Sequence, residues 1–503
     1  MRNTIIKSVI GLTCLAGMTS CGDKFLETDY FNGVDVEGAL TTPTVIGYAL
    51  NGTYYRLQQY YFAGNYCFSL GDIASDLTYW TGRNAHQNQL YQFTYTENDI
   101  TLYYVWDYGY KVVDNAARIV EACEELIPEA EGYDLYDLKM YEAEARCLRA
   151  YANLYLVNIF AHQVRVDGKD FSNQPGLVIV DKPIEPFTEL KRSTVGETYN
   201  FILQDLKKAI DLFEDSYDQA TMEYMSEAAA YALLARTHMY LENWKEAAEA
   251  AETAIALSGI DTLTYSVSGY YALYSGQYTD NECIFSLAID SATNWSANSL
   301  GTLFTTYGFS CSPYLVSLYG ENDCRLPLIS EFSDLPEPDD IEEGNSIEDY
   351  WYDDNYVGGK FYFGYRNTAY ANNFLLCAPE QYLIAAEAYA HLSKTQEAQE
   401  ALLVVAKRNN AITEVSDLPA SPDAILDFLK EERARELFQE GLRFYDLRRW
   451  GGKANLYAVG APAISWMIKD ANVGDIVLPI PADEINTNYG VTQNEGWFNT
   501  QPK

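Results

Sequence analysis

Apolar positions recur at helical spacing through two stretches of the chain, roughly residues 100–260 and 378–450, and predict amphipathic helices there. An irregular segment rich in Tyr, Gly, Asn and Ser separates them. One pattern occurs twice. In YALLARTHMYLENWKEAAEAAETAI the positions Tyr231, Ala235, Ala247 and Ala254 have the spacing of Tyr382, Ala386, Ala398 and Val405 in YLIAAEAYAHLSKTQEAQEALLVV, displaced by 151 residues.

These offsets are those of a tetratricopeptide helix pair, in which small residues stand where two helices cross closely. Two further pairs are expected. One joins a helix over Tyr104 to Leu126 with residues 140–161; the other places residues 195–213 ahead of Tyr231. Such pairs cannot bury their apolar faces alone and should stack into a right-handed array. Between the repeats, ECIFSLAI (282–289) has the alternation and β-branched content of a strand.

The first twenty residues break from this pattern. Arg2 and Lys7 flank an apolar run from about Val9 to Met18, and Thr19 and Ser20 lead into Cys21, which reads as an export signal too short to span a bilayer. A cysteine directly after the run matches a lipobox, with Met18 where Leu is usual, so Cys21 is the expected lipidation site. Gly11, Leu12 and Thr13 suit Cys14 less well. A plain secretory signal with an incidental cysteine is the alternative. Two or more acyl chains on one residue give stable anchoring where one gives only marginal binding. No other apolar run approaches the ~18 residues a membrane helix needs.

Charge narrows the partners. The signal holds two of the 34 Lys and Arg and none of the 72 Asp and Glu, so the remainder carries a formal −40, which repels nucleic acid and anionic headgroups. Neutral, cationic or protein partners are left. Beyond Cys14 and Cys21 there are seven cysteines, an odd number, with no CxxC pair, and the four histidines are scattered without an HExxH. Neither a metal nor a cofactor is expected. An acidic cluster at 334–354, DLPEPDDIEEGNSIEDYWYDD, lacks EF-hand spacing and reads as a solvated loop ahead of a calcium site.

Several segments together resemble one family. They are Cys21 in its lipobox, EARCLRAYANLYLVNIF (144–160), RSTVGETYNFILQDLKKAI (192–210), AAAYALLARTHMYLENWKEAAEAAETAI (228–255), YLVSLYGENDCR (314–325), EQYLIAAEAYA (380–390), EERARELFQEGLRFYDLRRWG (431–451), LPIPADEIN (478–486) and QNEGW (493–497). In this order they resemble the SusD/RagB outer-membrane lipoproteins of Bacteroidetes nutrient uptake. The chain departs from the family after Phe160, where AHQVRVDGKDF replaces a Gly-Asp-x-Pro-like turn, so that loop should be remodelled.

The resemblance implies a mostly α fold: tetratricopeptide-like helix pairs forming a scaffold, packed against an irregular, loop-rich lobe with a few short β-strands. It also implies division into a signal (1–20), an N-terminal part with helical-repeat pairs (21–265), an irregular ligand-binding lobe (266–377) and a C-terminal part (378–503). Such a protein is no enzyme but a lipid-anchored lid that passes ligand to a SusC-like TonB-dependent transporter. The ligand is expected to be a glycan; a peptide, as in the RagB branch, is the nearest alternative. A glycoside hydrolase and a purely structural lid are the remaining ones.

Two readings of residues complete the picture. In EERARELFQEGLRFYDLRRW the carboxylates have cations at helical spacing, Glu431 and Glu432 with Arg435, Glu440 with Arg443, Asp446 with Arg449, so local ion pairs are expected and catalytic carboxylates are not. A sugar needs flat aromatic faces and a few polar forks. Tyr79, Trp80, Arg83 and Asn84 in SDLTYWTGRNAHQNQ (75–89), and Asn294, Trp295, Asn298 and Tyr307 in DSATNWSANSLGTLFTTYGFS (290–310), are the candidates, with Trp80 and Trp295 expected on exposed loops. A third aromatic and acidic cluster, 349–365, is expected to line the site or face the transporter.

Overall fold

The computed structural model describes residues 39–185, 187–216, 221–274, 282–304, 306–329, 360–361, 368–459 and 466–500. Cys21, the acidic cluster at 334–354 and all but Lys360 and Phe361 of the 349–365 cluster lie outside the described residues.

Helices carry the architecture. Those used below are α1 (Pro43–Gln58), α2 (Tyr66–Ile73), α3 (Ile100–Leu126), α4 (Tyr133–Phe160), α5 (Val195–Glu214), α6 (Glu227–Tyr240), α7 (Trp244–Ser258), α8 (Ala378–His391), α9 (Thr395–Ala406), α10 (Pro422–Leu437) and α11 (Arg443–Arg449), with shorter helices between them. From α3 to α9 each packs on the next in chain order, and α8 also meets α10, so the scaffold is an array of helices stacked in sequence. The repeated small residues explain the close crossings: Ala235, Ala247 and Ala254 are fully buried, as are Ala386, Ala398 and Val405, while Tyr231 and Tyr382 lie half-buried at the edge. Helix starts follow local chemistry. Thr194 and Glu197 form a reciprocal capping box on α5, and Asp99 caps α3 by accepting from Thr101 N and Leu102 N at 2.8 and 3.2 Å.

Strands are short and paired two by two. Among the described residues, β1 (Thr78–Trp80) pairs antiparallel with β3 (Phe309–Cys311), β2 (Cys283–Leu287) with β4 (Asn373–Cys377), and β5 (Lys453–Tyr457) with β6 (Trp466–Asn472). β2 is buried along its whole length, so its alternating sequence does not reflect a half-exposed sheet. The departure after Phe160 is a two-residue hairpin: Arg165 and Val166 pair with Asp170 and Lys169 around Asp167 and Gly168, whose φ of 48° and 73° suit a tight primed turn.

The arginine-rich motif differs from its local reading. Arg435 does pair with Glu431 and Glu432, and Arg449 with Asp446, but Glu440 and Arg443 do not pair with each other. Glu440 binds Lys360 at 2.7 Å, and Arg443 binds Asp76 at 2.8 Å, 367 residues away. Arg325, fully buried, reaches Asp323, Glu432 and Glu436, each at 2.8 Å. Helical spacing predicts neighbours on an exposed helix surface; here the motif is buried, and desolvated charges take partners from every packed element.

The array and the strands meet at α2. Asp72 accepts from Gln439 N and Gly441 N at 3.2 and 2.6 Å, and the backbones touch because Gly71 has no side chain: a Cβ there would lie 1.9 Å from Gly441 O. This contact fixes the last turn of α2, the helix that follows the segment where the site is built.

Candidate functional site

Asn65, just before α2, gathers three segments. Its Nδ2 donates to Asn298 O at 2.7 Å, and its Oδ1 accepts from Ser69 Oγ at 3.0 Å and from Gln87 Nε2 at 3.2 Å. The amide is buried, so these bonds have little competition from water. They hold the turn after α1, the 81–88 loop and the 290–307 loop against one another.

A shelf of aromatic rings lies across that junction. Trp295 stands 5.9 Å from Tyr60, Tyr60 3.9 Å from Tyr61, and Tyr61 4.0 and 4.7 Å from Tyr104 and Tyr108, measured between ring centroids. Tyr66 sits edge-on to Tyr60 and Tyr61, and Tyr55 extends the row 6.4 Å beyond Trp295. Tyr60, Tyr61, Tyr66, Tyr104, Tyr108 and Trp295 are all half-buried, and Tyr61 is stacked closely among Tyr60, Tyr104 and Tyr108. Tyr104 and Tyr108 share a face of α3 because they are four residues apart. The Trp295 indole donates to Gln58 O at 2.9 Å, and Gln58 Nε2 donates to Ala288 O at 2.7 Å, so the ring is fastened by its edge.

Electrostatics keep the phenols protonated. Burial pushes Tyr66 up to about 12, with nearby Tyr61, Tyr104 and Asp99 adding to it. Burial also raises Tyr60; the hydrogen bond with Tyr60 raises Tyr61, and the charge of Tyr61 raises Tyr104. Each therefore stays protonated near neutral pH, with the hydroxyls of Tyr60, Tyr61 and Tyr104 hydrogen-bonded along the row. The carboxylates bordering the shelf are committed: Asp99 caps α3 and Asp107 binds Lys111 at 2.6 Å. Among the described residues no group of three or more His, Cys, Asp and Glu is placed to hold a metal.

The sequence candidates divide. Trp295 is on the shelf, and Tyr307 is beside it, stacked on His86 at 4.6 Å and contributing to the electrostatics of Tyr66. Trp80 is not on an exposed loop. It lies in β1, 5% exposed, stacked 5.6 Å from Phe309 and edge-on to Tyr91. Strand alternation sends Tyr79 the other way, half-buried and edge-on to Tyr457 at 6.3 Å, away from Trp80. Arg83 is exposed, and Asn84 Oδ1 accepts from His86 N at 2.9 Å to form the local turn. Asn294 serves its own loop, donating to Asp290 O and Ser291 O and accepting from Ser296 N; Asn298 contributes its carbonyl to Asn65. Tyr60, Tyr61, Tyr66, Tyr104 and Tyr108 were absent from the candidates, although QYYFAGNY and LYYVWDYGY show tyrosines bunched at a helix end and at a helix start.

Two open cavities lie elsewhere on the described residues. One of about 670 Å³ lies between α1 and α3, with Tyr55, Arg56, Arg118 and Glu125 on its walls. The other, of about 710 Å³, is lined by Tyr314, Trp450, Tyr457 and the Asp76–Arg443 pair. The shelf belongs to neither interior and meets the first only through Tyr55.

Fold and shelf together define a helical-repeat scaffold that presents an aromatic surface assembled from loops and the start of α3. The comparisons with known proteins agree on which one. A family model described as "Starch-binding associating with outer membrane" matches residues 44–241, and the model described as "SusD family" matches residues 337–497. SusD-like protein P38 of Formosa agariphila is 25% identical over 401 residues, covering 70% of this chain and 73% of its own. Among solved structures, a SusD superfamily protein from Bacteroides vulgatus has a TM-score of 0.75 at 24% identity, covering 91% of this chain and 99% of its own. One from Bacteroides thetaiotaomicron has 0.74 at 21%, covering 90% and 99%, and a SusD-like carbohydrate binding protein from Bacteroides vulgatus has 0.71 at 19%, covering 92% and 98%. The chain belongs to the SusD/RagB family.

Proposed function

We propose that this protein binds a neutral glycan at the outer membrane and delivers it to a SusC-like TonB-dependent transporter, for which it acts as the lid. The observation that carries the reading is the row of half-buried rings from Trp295 through Tyr60 and Tyr61 to Tyr104 and Tyr108, with centroid steps of 3.9 to 5.9 Å. Ring surface left open along the row receives the C–H faces of sugars, and the polar edges of the phenols meet their hydroxyls. The family's association with starch and the outer membrane supports it, as does the carbohydrate-binding description of one structural neighbour.

The acidic body disfavours a polyanionic glycan and leaves cationic peptides as the second reading. Anchoring is assigned to Cys21, with acyl chains holding a body whose described helices include none long and apolar enough to cross a membrane. Labelled palmitate should incorporate into the full chain and not into Cys21→Ala. Binding without turnover is expected, since the carboxylates beside the shelf are engaged as a helix cap and an ion pair.

Calorimetric titration of the chain from Gly22 onward with plant, fungal and host glycans, alongside acidic and basic peptides, tests the cargo. Saturable heat with one glycan class and sugar recovered uncut is the expected result. Binding of basic peptides alone would move the protein to the peptide branch; hydrolysed sugar would make it an enzyme.

A further inference from the structure

Cys283 in β2 and Cys377 in β4 stand directly opposite each other in the antiparallel ladder. Immediately beyond them Ala378 N donates to Glu282 O at 2.9 Å, which places the two cysteines at a non-hydrogen-bonded position. Facing Cα atoms at such a position are about 4.5 Å apart, inside the ~4.4–6.8 Å range that a disulfide spans. Both side chains are buried, at 6% and 7% exposure. As thiols they are already in contact: Cys283 Sγ donates toward Phe285 O and Leu376 O at 3.1 and 3.3 Å, and Cys377 is hydrogen-bonded to Cys283.

The other five cysteines after Cys21 stand elsewhere, Cys67 on α2, Cys123 on α3, Cys147 on α4, Cys311 in β3 and Cys324 in the turn before Arg325, all buried. An odd total leaves at least one thiol unpaired, and the ladder selects which two sulfurs are matched.

We propose that Cys283 and Cys377 are joined by a disulfide in the exported protein, an inference that rests on the export reading above. The oxidant is a protein disulfide of the thiol oxidoreductase class. The Cys283 thiolate attacks it, breaking the donor's S–S bond and forming a mixed disulfide. The Cys377 thiolate then displaces the donor's sulfur. Two electrons and the two thiol protons pass to the donor, which leaves as a dithiol. Since both sulfurs are buried in the finished fold, the bond forms as β2 and β4 pair. It closes residues 284–376, which include Trp295 and Tyr307, into a ring fastened at the start of α8. The ends of the segment that carries Trp295 are then covalently fixed.

The test uses the full chain produced with its leader in a host that exports it. Cells are quenched in acid, free thiols are blocked with iodoacetamide in denaturant, and the sample is reduced, treated with N-ethylmaleimide and peptide-mapped. The expected result is maleimide on Cys283 and Cys377, iodoacetamide label on the other five, and iodoacetamide label on Cys377 in Cys283→Ser. Iodoacetamide label on both cysteines in membrane-fractionated protein overturns the disulfide and leaves export standing. Recovery of the chain in the cytosol overturns export instead. The pairing is then decided by refolding the denatured chain from Gly22 onward in a glutathione redox buffer, where a Cys283–Cys377 linked peptide supports it and its absence, or another pairing, overturns it.

Discussion

Trp295 Nε1 donates to the carbonyl of Gln58 at 2.9 Å, joining residues 237 positions apart and turning an indole on a loop into a fixed surface. The bond occupies the edge of the ring and leaves a face for ligand. Trp295→Phe keeps a flat ring but loses that bond, whereas Trp295→Ala loses both. Titration should show the glycan Kd rising several-fold in the first and at least ~10-fold in the second, since an aromatic contact contributes about 0.5–1.5 kcal/mol beyond its buried area.

Tyr61 lies at the middle of the row, within 4.7 Å of Tyr60, Tyr104 and Tyr108. Tyr61→Ala is expected to weaken binding by about as much as Trp295→Ala, with the far-ultraviolet dichroism of the scaffold unchanged, because the residue sits in a turn and not in a helix interior. Trp80→Phe is the contrast. Buried against Phe309, it should lower the thermal midpoint slightly and leave the Kd where it was.

Asn65 acts through the loops it holds. Asn65→Leu removes three hydrogen bonds and leaves Gln87 Nε2 and Asn298 O without that partner. Weaker binding is expected together with faster hydrogen exchange in 81–88 and 290–299, a readout that loss of a ring alone does not move.

Glu387 makes a pH prediction. Burial pushes its carboxyl up, but the charge of Arg449 outweighs that, helped by hydrogen bonds from Arg449 and Trp450, and holds it down at about 2. A depressed carboxyl contributes stability that is fully present above its unfolded pKa, near 4.5, and lost as pH falls toward 2. The gap in urea midpoint between the native chain and Glu387→Gln should be constant above about pH 5.5 and shrink below 4.5. Binding should be flat from pH 6 to about 9, because the shelf phenols are shifted up.

Arg325→Met leaves buried Asp323 without its cation and takes one of two arginine partners from Glu432 and Glu436, and a loss of about 3–5 kcal/mol is expected from chemical denaturation. Arg118→Ala, which breaks the solvent-facing pair with Asp114, should cost under about 1 kcal/mol.

The sequence alone determined the helical array. Tyr231 and Ala235 repeat at Tyr382 and Ala386 because every helix pair must bury the same kind of face, a local demand visible as spacing. It also marked the family, the Trp295 loop and the strand around Cys283. Tertiary structure decided which tyrosines share a surface. Tyr61 meets Tyr104 and Tyr108 from a different element, and Trp80 turns inward because β1 pairs with a strand some 230 residues later. The arginine motif divides the same way: its spacing predicts neighbours along a helix, but burial removes water, and Arg443 then binds Asp76 from across the fold. Periodicity records what one element needs from solvent and core; a site built from several elements depends on contacts that no spacing records.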